Sequence, residues 1–162
     1  MAQGKGDIRV RPAHFADADR IADIFFDSVH GIDPDIYSRA EQLAWAPAPV
    51  DYDYWRRAIP LHETFVACID RRVVGFIGLE PEGYIDWLYT QNYHQGQGVA
   101  SALYGHLENL ARERGLALLS VSASDVARPF FERRGFRVLS ANQVERQGVS
   151  LRNWQMQKPL TA

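Results

Sequence analysis

The residues with the clearest chemical promise lie between positions 95 and 101. Gln95-Gly96-Gln97-Gly98-Val99-Ala100-Ser101 sets two glycines one residue apart, directly ahead of an amphipathic run. Glycine lets a backbone bring its N–H groups close to a ligand, and the start of a helix adds a partial positive charge. An anion, above all a pyrophosphate, is the natural occupant. Upstream, Asp86 stands among Ile85, Trp87 and Leu88. Burial of a carboxylate on such an apolar strand raises its pKa, which suits a general base. The alternative is a hydrogen-bonded aspartate at a strand edge. Glu80 is the second carboxylate candidate, and its alternative is a solvated turn residue.

Other phosphate loops do not fit this spacing. A dinucleotide fingerprint follows the first strand of a parallel unit and has an acidic residue roughly 20 positions on. Here Ser101 stands in the place of the third glycine, and position 118 is Leu. A Walker loop ends in Gly-Lys-Ser/Thr, and no lysine lies near.

The elements that must position these groups follow from periodicity. Residues 7–11 alternate, which predicts a first strand ended by Pro12. Ile21, Ile24, Phe25 and Val29 take helical spacing, with Asp17 as the expected N-cap and Gly31 as the expected stop. Residues 37–45 and 52–58 read as helices separated by Ala46-Pro47-Ala48-Pro49. Their aromatic residues (Tyr37, Trp45, Tyr52, Tyr54, Trp55) either cover a core or line a pocket. Strands are predicted at 64–70, 73–80 and 84–90, forming a meander. Val99, Leu103, Leu107, Leu110 and Ala111 mark one face of a helix ending at Gly115. Residues 116–122 form a buried strand, parallel to its predecessor because a helix joins them. A short helix over 126–134 has Pro129 in its first turn. Two last strands, 136–143 and 149–156, flank a turn at Arg146-Gln147-Gly148. The sum is a mixed α/β layer protein.

Bulk properties narrow the function. The chain has 162 residues, 46% of them hydrophobic, and a net charge of −2. One domain over 1–162 is expected, with a core large enough to fold unaided. The near-neutral balance argues against nucleic acid, although Arg128, Arg133, Arg134 and Arg137 suffice for one phosphorylated ligand. Cys68 is the lone cysteine, and His14, His62 and His106 show no ligand spacing, so no metal is expected. Residues 1–11 lack an apolar leader, and no stretch reaches about 18 apolar residues. A soluble cytoplasmic protein away from membranes is the simplest reading.

The pattern Gln95-x-x-Gly98-x-Ala100 resembles the Gln/Arg-x-x-Gly-x-Gly/Ala signature of the GCN5-related N-acetyltransferases. The likeness runs from Leu88 through Leu103. It returns at Ala127-Arg128-Pro129-Phe130-Phe131-Glu132-Arg133-Arg134-Gly135-Phe136, which resembles the family's second motif. Ile8-Arg9-Val10-Arg11-Pro12 also fits the family's opening strand.

This resemblance implies a fold whose fourth and fifth strands splay to admit acetyl-coenzyme A. It implies that backbone groups of Leu88, Tyr89 and Thr90 pair with the pantetheine arm. Those of Gln95, Gly96, Gln97, Gly98, Val99, Ala100 and Ser101 would hold the pyrophosphate. Ser124 stands where relatives often carry an Asn that bonds the pantetheine. Phe130 and Phe131 would flank the cofactor, and Arg133 is a candidate for its 3′-phosphate or else a solvated helix residue. Phe131 replaces the Tyr that many relatives use to protonate the leaving thiolate. Another tyrosine, a water or no dedicated acid would then serve. Tyr84 occupies the position where histone-modifying members carry a catalytic Glu, and strand alternation sets Asp86 on the same face.

For the acceptor, His30 with Tyr37, Trp45 and Trp87 is the candidate pocket, His30 being otherwise a partly exposed helix-end residue. Its aromatic character points to a small or amino-acid-like amine. The family likeness also allows a homodimer. The competing reading is an acyl-coenzyme A-binding or sensor domain with little catalysis. A third is transfer of a longer acyl group.

Overall fold

Residues 7–160 are described by the computed structural model. The readings made on residues 1–6 lie outside them. Alternating apolar runs give seven strands: β1 (Ile8–Pro12), β2 (Glu63–Ile69), β3 (Arg72–Leu79), β4 (Tyr84–Thr90), β5 (Leu118–Ala123), β6 (Arg137–Arg146) and β7 (Val149–Pro159). They form one mixed sheet in the order β1-β2-β3-β4-β5-β7-β6. Only β4 and β5 are parallel among these neighbours. The helices are α1 (Ala18–His30), α2 (Arg39–Trp45), α3 (Tyr52–Ala58), α4 (Val99–Glu113) and α5 (Arg128–Glu132).

Each face of the sheet is covered. Leu103, Leu107 and Ala111 of α4 pack on Val74, Ile77, Leu79, Ile85 and Leu119. On the other face Ile21, Ala22 and Ile24 of α1 and Trp55 of α3 pack on Val66 and Phe76. Apolar area removed from water on both faces is the main force holding the layers together. No described helix is long and apolar enough to cross a membrane.

Local signals at α1 act differently from expectation. Asp17 occupies the N-cap position, yet its carboxylate bonds Arg11 (2.8 and 3.1 Å) and the His14 N–H (2.7 Å). It therefore closes the preceding 3-10 turn and not α1 itself. Gly31 does end α1, but with a right-handed φ of −88°. A side chain there would run into the Asn92 amide, so close packing explains the glycine. Helix α2 starts at a capping box, Ser38 accepting from Glu41 N–H (3.1 Å) and Glu41 from Ser38 N–H (2.8 Å).

The sheet parts between β4 and β5. Only Tyr84 with Ser120 and Ile85 with Val121 are paired. Beyond them β4 keeps its bonds to β3 while the edge facing β5 is free. A bulge marks the spot: Gly78 pairs with Trp87 and Leu79 with Ile85, which leaves Asp86 as the extra residue. The bulge shifts the side-chain alternation by one. Ile85 and Leu88 join the α4-side core, whereas Trp87 and Tyr89 pack with the α1-side core.

Candidate active site

Two cavities flank the parted strands. One, about 870 Å³, runs from the glycine loop past Leu88, Tyr89 and Thr90 to Ser124, Phe130 and Phe131. The other, about 450 Å³, is lined mainly by aromatic residues of α1, α2, α3 and β4, with Val144, Arg146 and Arg152 from the last hairpin. They share Trp45, Asp86, Trp87, Tyr89, Ser122 and Ser124.

The larger cleft has the features of an anion site. Gly96 and Gly98 adopt φ of +77° and +88°. Gly98 sits at the N-cap of the 15-residue α4, so the loop turns its amides toward the helix start. A side chain at Gly96 would meet nothing within 4 Å. Gln95, Gly96, Gly98, Val99, Ala100 and Ser101 line this cleft. Gln97 does not: its amide donates to the Tyr93 carbonyl (3.3 Å) and its Oε1 meets the His94 ring (3.2 Å), closing the loop on itself.

The free edge of β4 is selective. Gln91 N–H donates to the Val74 carbonyl (2.8 Å). By the alternation of an antiparallel ladder, Tyr89 also turns its backbone toward β3, and Leu88 and Thr90 turn theirs toward the cleft. The Thr90 carbonyl already accepts from Ser28 Oγ (2.8 Å). The Tyr89 backbone thus serves the sheet. Its ring lies in the aromatic cavity, edge-on to Phe25, and its hydroxyl accepts from the Trp45 indole (3.2 Å).

At the far end of the cleft Ser124 Oγ accepts from Ala127 N–H (3.1 Å), which leaves the hydroxyl proton to donate. Phe131 is 1% exposed and packs on Phe136, while Phe130 is half-buried. Arg133 lines the cleft as an exposed side chain. Its neighbour Arg134, which the sequence reading did not single out for this role, is better fixed. Its guanidinium lies 3.6 Å from the Phe130 ring centre and donates to Ser101 Oγ.

Asp86 sits where the cavities meet. Its side chain is 10% exposed, and its Oδ2 is buried without a hydrogen-bond partner. His62 Nδ1 lies 3.4 Å from that oxygen, near enough for an ion pair. Ligand atoms of His62, Glu80 and Asp86 all fall within 4.8 Å of one another, close enough to share a proton or hold a cation. Glu80 feels the crowding most. Hydrogen bonding of its protonated form to Glu82, then to Asp86, raises it to about 7. Residue spacing treats each carboxylate alone and finds no partner for His62, because the three come from strand β4 and from the loops before β2 and after β3.

The acceptor-side candidates divide. Trp45, Trp87 and Tyr37 line the aromatic cavity. Tyr37 is also a strut: its hydroxyl accepts from Asp125 N–H (2.8 Å) and donates to the Arg152 carbonyl (3.3 Å). His30 lines neither cavity. Its ring stacks on Phe26 at 4.1 Å and its Nε2–H donates to the Ala46 carbonyl (2.7 Å), so it closes the end of α1. Helix-end position in the sequence could not tell these orientations apart.

A tyrosine does reach the junction. Tyr84, in the aromatic cavity, donates to Ser122 Oγ (3.0 Å), which also accepts from Gln155 Nε2 (2.9 Å). Ser122 therefore keeps its own proton for a third partner. Tyr104, beside Phe131, lines neither cavity and gives its proton to Glu108 (2.6 Å).

Comparison with known proteins accords with this layout. Residues 35–158 match the family described as an acetyltransferase (GNAT) domain. The chain is 33% identical over 150 residues to the uncharacterized N-acetyltransferase YafP of Escherichia coli K12, covering 93% of this chain and 95% of the relative. A solved GCN5-related N-acetyltransferase from Rhodopseudomonas palustris superposes with a TM-score of 0.89 at 34% identity, over 99% of both chains. The PaiA N-acetyltransferase of Thermoplasma acidophilum, solved in complex with coenzyme A, shares the fold, with a TM-score of 0.76 at 16% identity over 94% and 99% of the two chains. The chain belongs to the GCN5-related N-acetyltransferase (GNAT) family, and it is an N-acetyltransferase of that family.

Proposed function

We propose that this N-acetyltransferase binds acetyl-coenzyme A in the cleft between β4 and β5. It acetylates the primary amine of a small acceptor in the aromatic cavity, by direct transfer within a ternary complex. The observation that carries this reading is the junction of the two cavities at Asp86 and Ser122.

The described residues fit the cofactor. The amides of Gln95, Gly96 and Gly98 to Ser101 would hold the pyrophosphate, and Arg134 with Arg133 would add positive charge. Leu88 and Thr90 offer backbone groups, and Ser124 a hydroxyl, to the amides of the pantetheine arm. Phe130 and Phe131 form the apolar wall. When bound, the cofactor supplies an acetyl thioester already activated toward amines.

The chain's own groups then manage protons. Asp86, with an unpartnered oxygen at the junction, takes the proton of the acceptor's ammonium group directly or through water. Glu80 shares that proton, being about half ionised near pH 7. Ser122 Oγ has its proton left to give to a departing thiolate and recovers one from Tyr84. This route answers the Phe131 replacement.

The test measures acceptor-dependent release of thiol from acetyl-, propionyl- and succinyl-coenzyme A with a panel of small amines. Turnover with acetyl-coenzyme A and at least one small amine is expected. A second reading, a cofactor-binding sensor with little catalysis, rests on Phe131. Tight coenzyme A binding without acceptor-dependent turnover would establish it and overturn the first.

A further inference from the structure

The aromatic cavity contains four charged side chains: Asp51, Asp86, Arg146 and Arg152. Two of them are already engaged. Asp51 accepts from Tyr54 N–H (3.0 Å) and caps α3. Arg152 pairs with Asp125 at 2.9 Å, and Asp125 is further held by the Trp154 indole (2.6 Å). Two remain. Asp86 keeps a buried oxygen without a hydrogen-bond partner. Arg146 makes no ion pair among the described residues and sits exposed beside the hairpin turn at Gln147-Gly148.

Both of these charges line one cavity. Asp86 belongs to both cavities, Arg146 to the aromatic one alone. Tyr54 lies within the field of each, the carboxylate raising its pKa and the guanidinium lowering it, after burial as the main cause. The rings of Tyr89, Trp45 and Trp55 line the same cavity. An aromatic-walled chamber that holds a carboxylate oxygen lacking a hydrogen-bond donor where it meets the cofactor cleft, and an unpaired guanidinium on its hairpin wall, is complementary to a dipolar molecule.

We infer that the acceptor carries an anionic group as well as its amine. It is a free amino acid or a close analogue with an apolar or aromatic body, whose carboxylate pairs with Arg146. This rests on the proposed acetyl transfer at the same site and names the class of its substrate. Arg146 is then a specificity-determining residue. A partly hydrated guanidinium–carboxylate pair favours the acid over its neutral amide by about tenfold.

The experiment screens the α-amino acids against their carboxamides by thermal shift and calorimetry on the protein with coenzyme A. KM values for the same pairs follow in the acetylation assay. At least one acid is expected to bind and to turn over about tenfold better than its amide. Arg146→Gln, a change at an exposed side chain, should erase that ratio while leaving coenzyme A affinity unchanged. Amides bound and acetylated as well as acids, or a ratio indifferent to Arg146→Gln, would overturn the inference and leave the acetyltransfer reading intact. Coenzyme A binding with no amine of either kind acetylated would overturn both.

Discussion

Glu80→Gln probes the carboxyl cluster with a nearly isosteric change. In the folded protein Glu80 is raised from 4.5 to about 7 by hydrogen bonding to Glu82 and Asp86, with partial burial adding to it. If the cluster must be deprotonated to receive the acceptor's proton, kcat/KM rises through that value. At pH 6 only about one cluster in ten is then open, so the wild-type rate falls roughly tenfold below its plateau. Glu80→Gln removes the group raised to about 7, so the acidic limb at that value should disappear. The variant, slower at its plateau, should therefore show almost no loss between pH 8 and 6. Stability gives an independent readout. A carboxyl whose pKa is raised by folding stabilises the fold fully below about 4.5, and that contribution fades as pH rises through about 7. Wild type should lose stability across this window in denaturant titrations, and Glu80→Gln should flatten the loss. An acidic limb that stays near 7 in the variant would show that another group titrates and refute the shared-proton argument.

Three further outcomes are expected. Gly98→Ala forces a side chain into φ of +88° with no clash nearer than the 3.9 Å contact to Ile8, so it should cost about 1 kcal/mol in denaturant unfolding and weaken coenzyme A binding. Arg134→Gln removes the cation that bridges Ser101 and the Phe130 ring. Calorimetry should show roughly tenfold weaker coenzyme A binding with kcat at saturation preserved. Tyr84→Phe keeps the ring and deletes the donor to Ser122; kcat should fall by roughly tenfold or more with KM for acetyl-coenzyme A unchanged, and an unaltered kcat would remove Tyr84 from the proton path.

Much of the scaffold was legible from residue patterns. Strand β4 was bounded correctly at Tyr84 and Thr90, because turn residues and apolar alternation agree there. The glycine loop, the face of α4 and the parallel β4–β5 step were readable for the same reason: each rests on local spacing. What escaped depends on distance or on geometry without a residue signature. No side-chain type announces the bulge at Asp86, and strict alternation would have sent Asp86 and Trp87 to opposite faces. His62 meets Glu80 and Asp86 only after α3 and the meander are packed together. Arg146 reaches the aromatic cavity because β6 runs on past the expected 143 to Arg146. Spacing leaves His30 open between the acceptor pocket and a helix-end role, since a helix-end histidine has two directions to choose from, and here its ring is held by the Ala46 carbonyl.

The bulge has one more consequence, for how this enzyme can diverge. Asp86 is the residue that the β3–β4 ladder skips, so sheet register does not depend on what its side chain is. In most strands a change of chemistry is also a change of structure, because each position is pinned by a partner across the ladder. Here the position at the meeting of the two cavities has no partner across the β3–β4 ladder. Substitutions at 86 can therefore retune proton transfer or acceptor charge without disturbing the pairing of β3 with β4, a freedom that Ile85 and Trp87 on either side do not share.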